Sequence, residues 1–191
     1  PDVMQSMHMA LERTLLEFAK DDKYANLVKD TFDYLLSRSK SVSLTAIVAS
    51  VVFSQPIKFS DYAVNLFKTI ELFHWDTIRR SDEDRYQQFY GLSGLTDGVA
   101  AKERFDTLQQ SFRKRSLESL CVEYQYTRCV DMDAEQHERL VKDIYAVLDN
   151  HQKEAKARND ETRLILLYRI DRRTHNAKFT KVADGQVQIE M

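Results

Sequence analysis

Ser41-Val42-Ser43-Leu44-Thr45-Ala46-Ile47-Val48-Ala49-Ser50-Val51-Val52 is the stretch that decides the fold class. Leu44, Ile47, Val48, Val51 and Val52 recur at three- and four-residue steps, while Ser43, Ala46, Ala49 and Ser50 between them are small. Residues at that spacing share one helical face. A buried strand competes, since Val and Ile are β-branched, but the run exceeds a typical strand and its period is helical. A helix apolar on one side and small on the other suits neighbours on both flanks. Residues 43–54 are therefore expected to form the most buried helix, stopped by Pro56, and a charge placed at Ala46 is expected to enter the interior.

The same period extends outward in both directions. Met4, Met7, Leu11, Leu15 and Phe18 predict a helix over about 2–20, and Tyr24, Val28, Phe32, Leu35 and Leu36 another to about Ser39. Asp21-Asp22-Lys23 between them reads as the turn of an antiparallel hairpin. Ser60 and Asp61 are N-cap candidates for a helix carrying Tyr62, Ala63, Leu66, Phe67 and Ile70. A second hairpin at a spacing of about 35–40 residues falls in the range of HEAT and armadillo units. Glu71-Leu72-Phe73-His74-Trp75-Asp76 opens a short aromatic helix ending near Arg80.

Gly91, Gly94 and Gly98 concentrate the glycines, so 81–100 reads as an ordered loop or insert and as a possible internal break. Helices follow at about 101–111, 114–129, 134–156 and 160–172, the third opened by an Asp133/Gln136 capping box. Lys178–Val182 and Gln186–Glu190 flank Asp184-Gly185, a type I′ turn dipeptide, which predicts a C-terminal β-hairpin. The expected fold is mainly α, built from antiparallel HEAT- or armadillo-like helical hairpins with that β-hairpin at the end.

Composition bounds the function classes. The 191 residues are 43% hydrophobic and 30% charged, with four Gly, two Pro and a formal charge of −2. That is a globular balance, poor in the turn residues a β-sandwich or α/β fold uses. It carries no whole-chain field aimed at nucleic acid or anionic membrane. Two Cys and no long apolar run point to the cytoplasm and away from a membrane. The chain opens at Pro1-Asp2-Val3 without an initiator Met and stops at Ile189-Glu190-Met191, so it reads as one helical module, 1–191, of a larger protein.

No glycine-rich phosphate loop is present, and Gly91-Leu92-Ser93-Gly94 is short and lacks Lys, so no nucleotide cofactor is expected. His8, His74, His137, His151 and His175 are scattered, and Cys121 and Cys129 lie eight apart without a companion pair, so no metal is expected. Cys121 lies on an apolar face with Leu117, Leu120 and Tyr124 and reads as core. His74, Trp75 and Asp76 point about 100° apart on a helix and form no common catalytic surface. Trp75 is expected to pack, with Asp76 pairing Arg79 or Arg80. The carboxylates Asp82, Glu83 and Asp84 are the candidates for a hydrolytic site, with nothing placed against them.

Two basic clusters are the candidate interaction residues. Residues 161–181 hold six basic and two acidic side chains, a local +4, with Arg169, Arg172 and Arg173 spaced to share one helical face. Arg113-Lys114-Arg115 forms the second. Either can contact phosphate, which makes nucleic acid a rival partner; the plainer reading is ion pairing with acidic helices.

Three stretches together resemble a family: Ser41 to Val52 as quoted, Glu71-Leu72-Phe73-His74-Trp75-Asp76, and Tyr168-Arg169-Ile170-Asp171-Arg172-Arg173. They look like the helical region downstream of the ATPase core in very large bacterial STAND/NACHT-like ATP-binding proteins, several of which act in antiphage defence. The resemblance implies a non-enzymatic helical sensor or scaffold arm that contacts other domains of its parent or a protein partner. Any ATPase site would lie outside this chain.

Overall fold

The computed structural model describes residues 3–93, 109–126, 132–174, 178–181 and 187–190, and these are mainly α-helical. The helices are α1 (Val3–Ala19), α2 (Ala25–Arg38), α3 (Val42–Ser54), α4 (Ser60–Phe67), α5 (Ile70–Ser93), α6 (Leu117–Tyr126), α7 (Ala134–Arg158) and α8 (Glu161–Ile170). Short 3₁₀ turns occupy Asp22–Tyr24, Ser111–Lys114 and Arg172–Thr174. The chain divides after Leu120 into two compact units.

In the first unit α3 is the packing centre. It touches α1, α2, α4 and the Ser111–Lys114 turn, and its contact with α1 is the most extensive between helices. Ile47, Val48, Ala49, Val51, Val52 and Phe53 are all buried, as the apolar stripe requires. Ala46 is not: it lies on the exposed side of α3, so a charge there meets solvent and the expectation for Ala46 is overturned. The helix leaves Val42, Ser43 and Ala46 outside.

Aromatic side chains fill the space between α2 and α4. Phe32 meets Phe59 and Tyr62 edge-on, with centroids 5.2 and 5.1 Å away, and Phe67 stacks on Phe73 at 5.6 Å. The Tyr62 hydroxyl donates to Asp33 (3.0 Å) and to the Lys29 carbonyl (3.2 Å). Burial, then the Asp33 carboxylate, pushes its pKa up to about 12. Lys58 donates to the Ala19 carbonyl at 3.0 Å and pairs with Asp22 at 2.6 Å, placing a cation at the C-terminus of α1 where the helix dipole favours one.

Helix boundaries depart from the sequence expectation around α4 and α5. Phe59, and neither Ser60 nor Asp61, is the residue before α4, and it makes no side-chain cap. Ile70 opens α5 instead of closing α4. α5 also runs through Arg80 to Ser93, so residues 81–93 are helix and not loop. Ion pairs one turn apart support that extension: Arg79 with Glu83 at 2.6 Å and Arg80 with Asp84 at 3.3 Å. The remainder of the expected break, 94–100, and most of the expected helix over 101–111 lie outside the described residues.

In the second unit α7 and α8 pack together. Asp133 caps α7 by accepting from the Gln136 N–H at 2.7 Å. Asn159, at φ 52°, ends it in the left-handed conformation that Asn tolerates. Asp160 then caps α8 through the Arg163 N–H. Further on, Lys178–Lys181 and Val187–Glu190 are short strands in antiparallel register, Lys178 opposite Glu190. The Asp184-Gly185 turn dipeptide lies outside the described residues. Among the described residues no helix is long and apolar enough to cross a membrane.

Phe32 is fully buried in the aromatic cluster, so Phe32→Ala is expected to cost about 3–5 kcal/mol in urea unfolding. Ala46→Glu is expected to leave the midpoint within about 0.5 kcal/mol of the parent. A large loss at Ala46 would show that α3 is enclosed on that side too.

Candidate functional site

The basic cluster at 113–115 is the first place where structure decides what the sequence left open. Arg113 stands on the Ser111–Lys114 turn, only 15% exposed, between two carboxylates. It pairs with Glu12 of α1 at 2.7 Å and with Glu83 of α5 at 3.2 Å. Glu83 also pairs with Arg79, which bonds Asp76 at 2.9 Å and the Arg115 carbonyl at 3.0 Å. The other Asp76 oxygen accepts the N–H of Leu117, first residue of α6, at 2.7 Å. Arg115 donates to the Phe53 carbonyl at 3.0 Å, and Arg80 to the Arg113 carbonyl at 3.0 Å. Ser50 of α3 donates to Glu12.

Three carboxylates and two guanidinium groups thus form one chain of charge-assisted bonds in a mostly water-excluded space. The environment raises the Arg79 pKa: burial works against the charged form, and Asp76 and Glu83 outweigh it. Arg113 and Arg115 are committed to these internal bonds, which leaves exposed Lys114 as the residue of the cluster facing solvent. Asp82, Glu83 and Asp84 do not converge either, since Glu83 is held in the network while Asp84 faces Arg80 and Asp82 faces Arg85 at 3.8 Å.

Trp75 reverses its expectation. It is 52% exposed, because Phe73 and Asp76 set the buried side of α5 and a residue two positions from Phe73 lies roughly 200° round the helix. Asp76 takes the interior place, where Arg79 and the Leu117 N–H satisfy it. Beside Trp75 an open apolar groove of about 260 Å³ lies between α3 and α5. Ala49, Leu66 and Leu117 are its buried lining, and exposed Ala46, Trp75 and Ile78 stand at its edge. Of the small residues that promised burial on both flanks of α3, Ser43, Ala46 and Ala49 instead line this groove, while Ser50 turns to Glu12.

The cations of 161–181 are also dispersed. Arg169, Arg172 and Arg173 share no helical face, because α8 stops at Ile170 and Arg172 begins a 3₁₀ turn. Side chains take the N–H groups beyond the helix end: Gln125 accepts from the Arg172 N–H at 2.9 Å and Asp171 from the Arg173 N–H at 2.9 Å. The Arg172 guanidinium donates to the Gln125 carbonyl at 2.7 Å and lies over the Tyr126 ring. Arg173 pairs with Asp171 at 2.8 Å and Asp149 at 2.6 Å, over Tyr145. Those carboxylates raise its pKa, Asp171 foremost. Arg163 pairs with Asp160, and Arg169 stays on the exposed side of α8.

Gln125, fully buried, is the residue sequence reasoning missed. Its amide donates to the Cys121 and Ile170 carbonyls at 2.9 and 2.8 Å while its oxygen holds Arg172. Cys121 is core, and Cys129 lies outside the described residues. His137 bonds the Tyr124 carbonyl at 2.9 Å, His151 is buried, and His74 meets Trp75 edge-on. Among the described residues no group of three His, Cys, Asp or Glu side chains could hold a metal ion. No protein-family model matches the chain, and no curated protein matches its sequence.

Removing Arg113 takes a guanidinium partner from both Glu12 and Glu83 in a half-closed space, leaving Glu12 with the Ser50 hydroxyl and Glu83 with Arg79. Arg113→Ala is expected to cost near the low end of about 3–5 kcal/mol, whereas Lys114→Ala costs under about 0.5 kcal/mol. Equal losses in denaturant titrations would refute the network's role.

The bond from Arg173 holds Asp149 below its ordinary pKa. A depressed carboxylate stabilises above its unfolded pKa, about 3.9, and that contribution is lost as pH falls through the folded value. The pair is exposed enough to be worth only about 0.2–1 kcal/mol. Melting curves of the parent and Asp149→Asn are expected to differ at pH 7 and to converge in acid; a gap independent of pH would exclude the pair as its source.

Proposed function

We propose that the chain is a non-catalytic helical interaction module, a scaffold or sensor arm of a large STAND/NACHT-like ATP-binding protein. Its partners are other domains of that protein or a separate protein, in the cytoplasm. A role in antiviral defence belongs to the proposal and rests on the sequence resemblance. HEAT- or armadillo-like stacking also belongs to it, with α1–α2 and α3–α4 as the helix pairs and the paired segments 178–181 and 187–190 as a closing β-hairpin.

The observation that carries this reading is the division of labour in the first unit. Charged groups of the kind that bind phosphate or move protons are bonded to one another, while Trp75, Ile78 and Val42 stand exposed at 52%, 40% and 47% around an apolar groove. Exposed aromatic and aliphatic surface is what a protein partner buries. The rival, a nucleic-acid contact through 161–181, is weakened by the internal bonds of Arg163, Arg172 and Arg173.

Fluorescence anisotropy separates the two. A labelled single-stranded oligonucleotide and a labelled ATP analogue are each expected to show no saturable binding to the chain. Oligonucleotide binding that weakens steeply between about 50 and 200 mM salt would establish the rival, and saturable ATP binding would overturn the non-catalytic reading.

A further inference from the structure

The geometry points to the α3–α5 groove as the docking site of an amphipathic helix that carries one large aliphatic or Met side chain and, one turn away, a Lys or Arg. This deepens the interaction-module reading and rests on it. The groove's volume of about 260 Å³ lies below the ~300–1,000 Å³ of clefts that enclose drug-sized ligands. It takes one or two side chains and not a nucleotide or cofactor. Its buried lining is Ala49, Leu66 and Leu117, and Trp75 and Ile78 rise at the edge as flanking walls. A side chain inserted there removes apolar surface on both sides from water, with Trp75 as the anchor type most enriched at binding hot spots.

Charge selects the occupant. Asp76 and Arg79 also line the groove, but they neutralise each other, with Glu83 and the Leu117 N–H taking their remaining bonds. Asp82 differs: its side chain is 56% exposed, and its contact to Arg85 is long, 3.8 Å. The wall from α3 supplies Val42, Ser43, Thr45 and Ala46, none of them charged. Among the described residues, Asp82 is thus the exposed carboxylate at one end of the groove, held by the long Arg85 contact alone.

The spacing fits a helical partner. Ile78 and Asp82 are four residues apart on α5, about 6 Å along the axis. A helical partner places side chains three or four residues apart about 5–6 Å from one another, so an apolar knob against Trp75 and Ile78 brings a cation at that offset to Asp82. An acidic helix in the same pose meets Asp82 with like charge and is rejected.

Trp75 is the sole tryptophan of the chain, so its emission reports the groove directly. The probes are two synthetic amphipathic peptides of equal length and the same Leu pattern, one with Lys and one with Glu at every polar position. The Leu/Lys peptide is expected to shift Trp75 emission to the blue, saturably, and the Leu/Glu peptide is not. Ala46→Phe fills the groove from its exposed edge and is expected to weaken binding at least about tenfold with the melting temperature held. Ser43→Phe serves the same purpose should Ala46→Phe fail to fold. Asp82→Lys is expected to transfer the response to the Leu/Glu peptide. Equal response to both peptides, or a response indifferent to the plugging and charge-reversal variants, overturns the proposal. Failure to bind either peptide removes the groove alone if oligonucleotide and ATP also fail to bind; binding of oligonucleotide or ATP removes the module reading beneath it.

Discussion

Five charged side chains set the constraint on which the first unit depends. Glu12, Arg113, Glu83, Arg79 and Asp76 are each too buried to be left alone as ions, and each is held by its neighbours in the chain of bonds, with Ser50, the Leu117 N–H and the Arg115 carbonyl adding further bonds. A network of this kind is costly to form and more costly to break at one member. It therefore fixes geometry: the segment 111–117 has one place to lie relative to α1, α3 and α5. The same bonds hold the start of α6 by way of the Asp76 carboxylate at the Leu117 N–H, where negative charge is favoured.

The site follows from that constraint. With Asp76 facing the Leu117 N–H, α5 is turned so that Phe73 joins the core and Trp75 does not. The groove is then the space left between the solvent side of α3, narrowed by Ser43 and Ala46, and the displaced aromatic edge of α5. Small residues on α3 make the depression and the indole beside it makes it adhesive. Electrostatics inside the unit and apolar exposure outside it are two consequences of one helix rotation.

In the second unit a single buried amide has a comparable part. Gln125 bonds both ends of the α8 terminus, accepting the Arg172 N–H and donating to the Ile170 carbonyl. This stops the helix before Arg172 and sends the Arg172 and Arg173 side chains to internal partners. An arginine's planar fork suits such bidentate and stacked positions, so the cations that looked available in the linear chain act as braces.

Much of this was legible in the chain. The three- and four-residue steps of Leu44 to Val52 specify a helix because burial needs one apolar face, and Asp133 marks a helix start because its carboxylate satisfies an end N–H. Those are local facts with local causes. Which side of α3 faces outward, whether Trp75 is core, and whether Arg113 or Arg173 is free are decided by partners as remote as Glu12, 101 residues from Arg113. Periodicity fixes the angle between side chains on one helix but not the rotation of that helix against its neighbours. The sequence by itself determined that the chain is helical and where its apolar faces lie; only the tertiary structure decided which charges neutralise one another and so which surface is left to meet a partner, because ion pairing depends on distance in space and not along the chain.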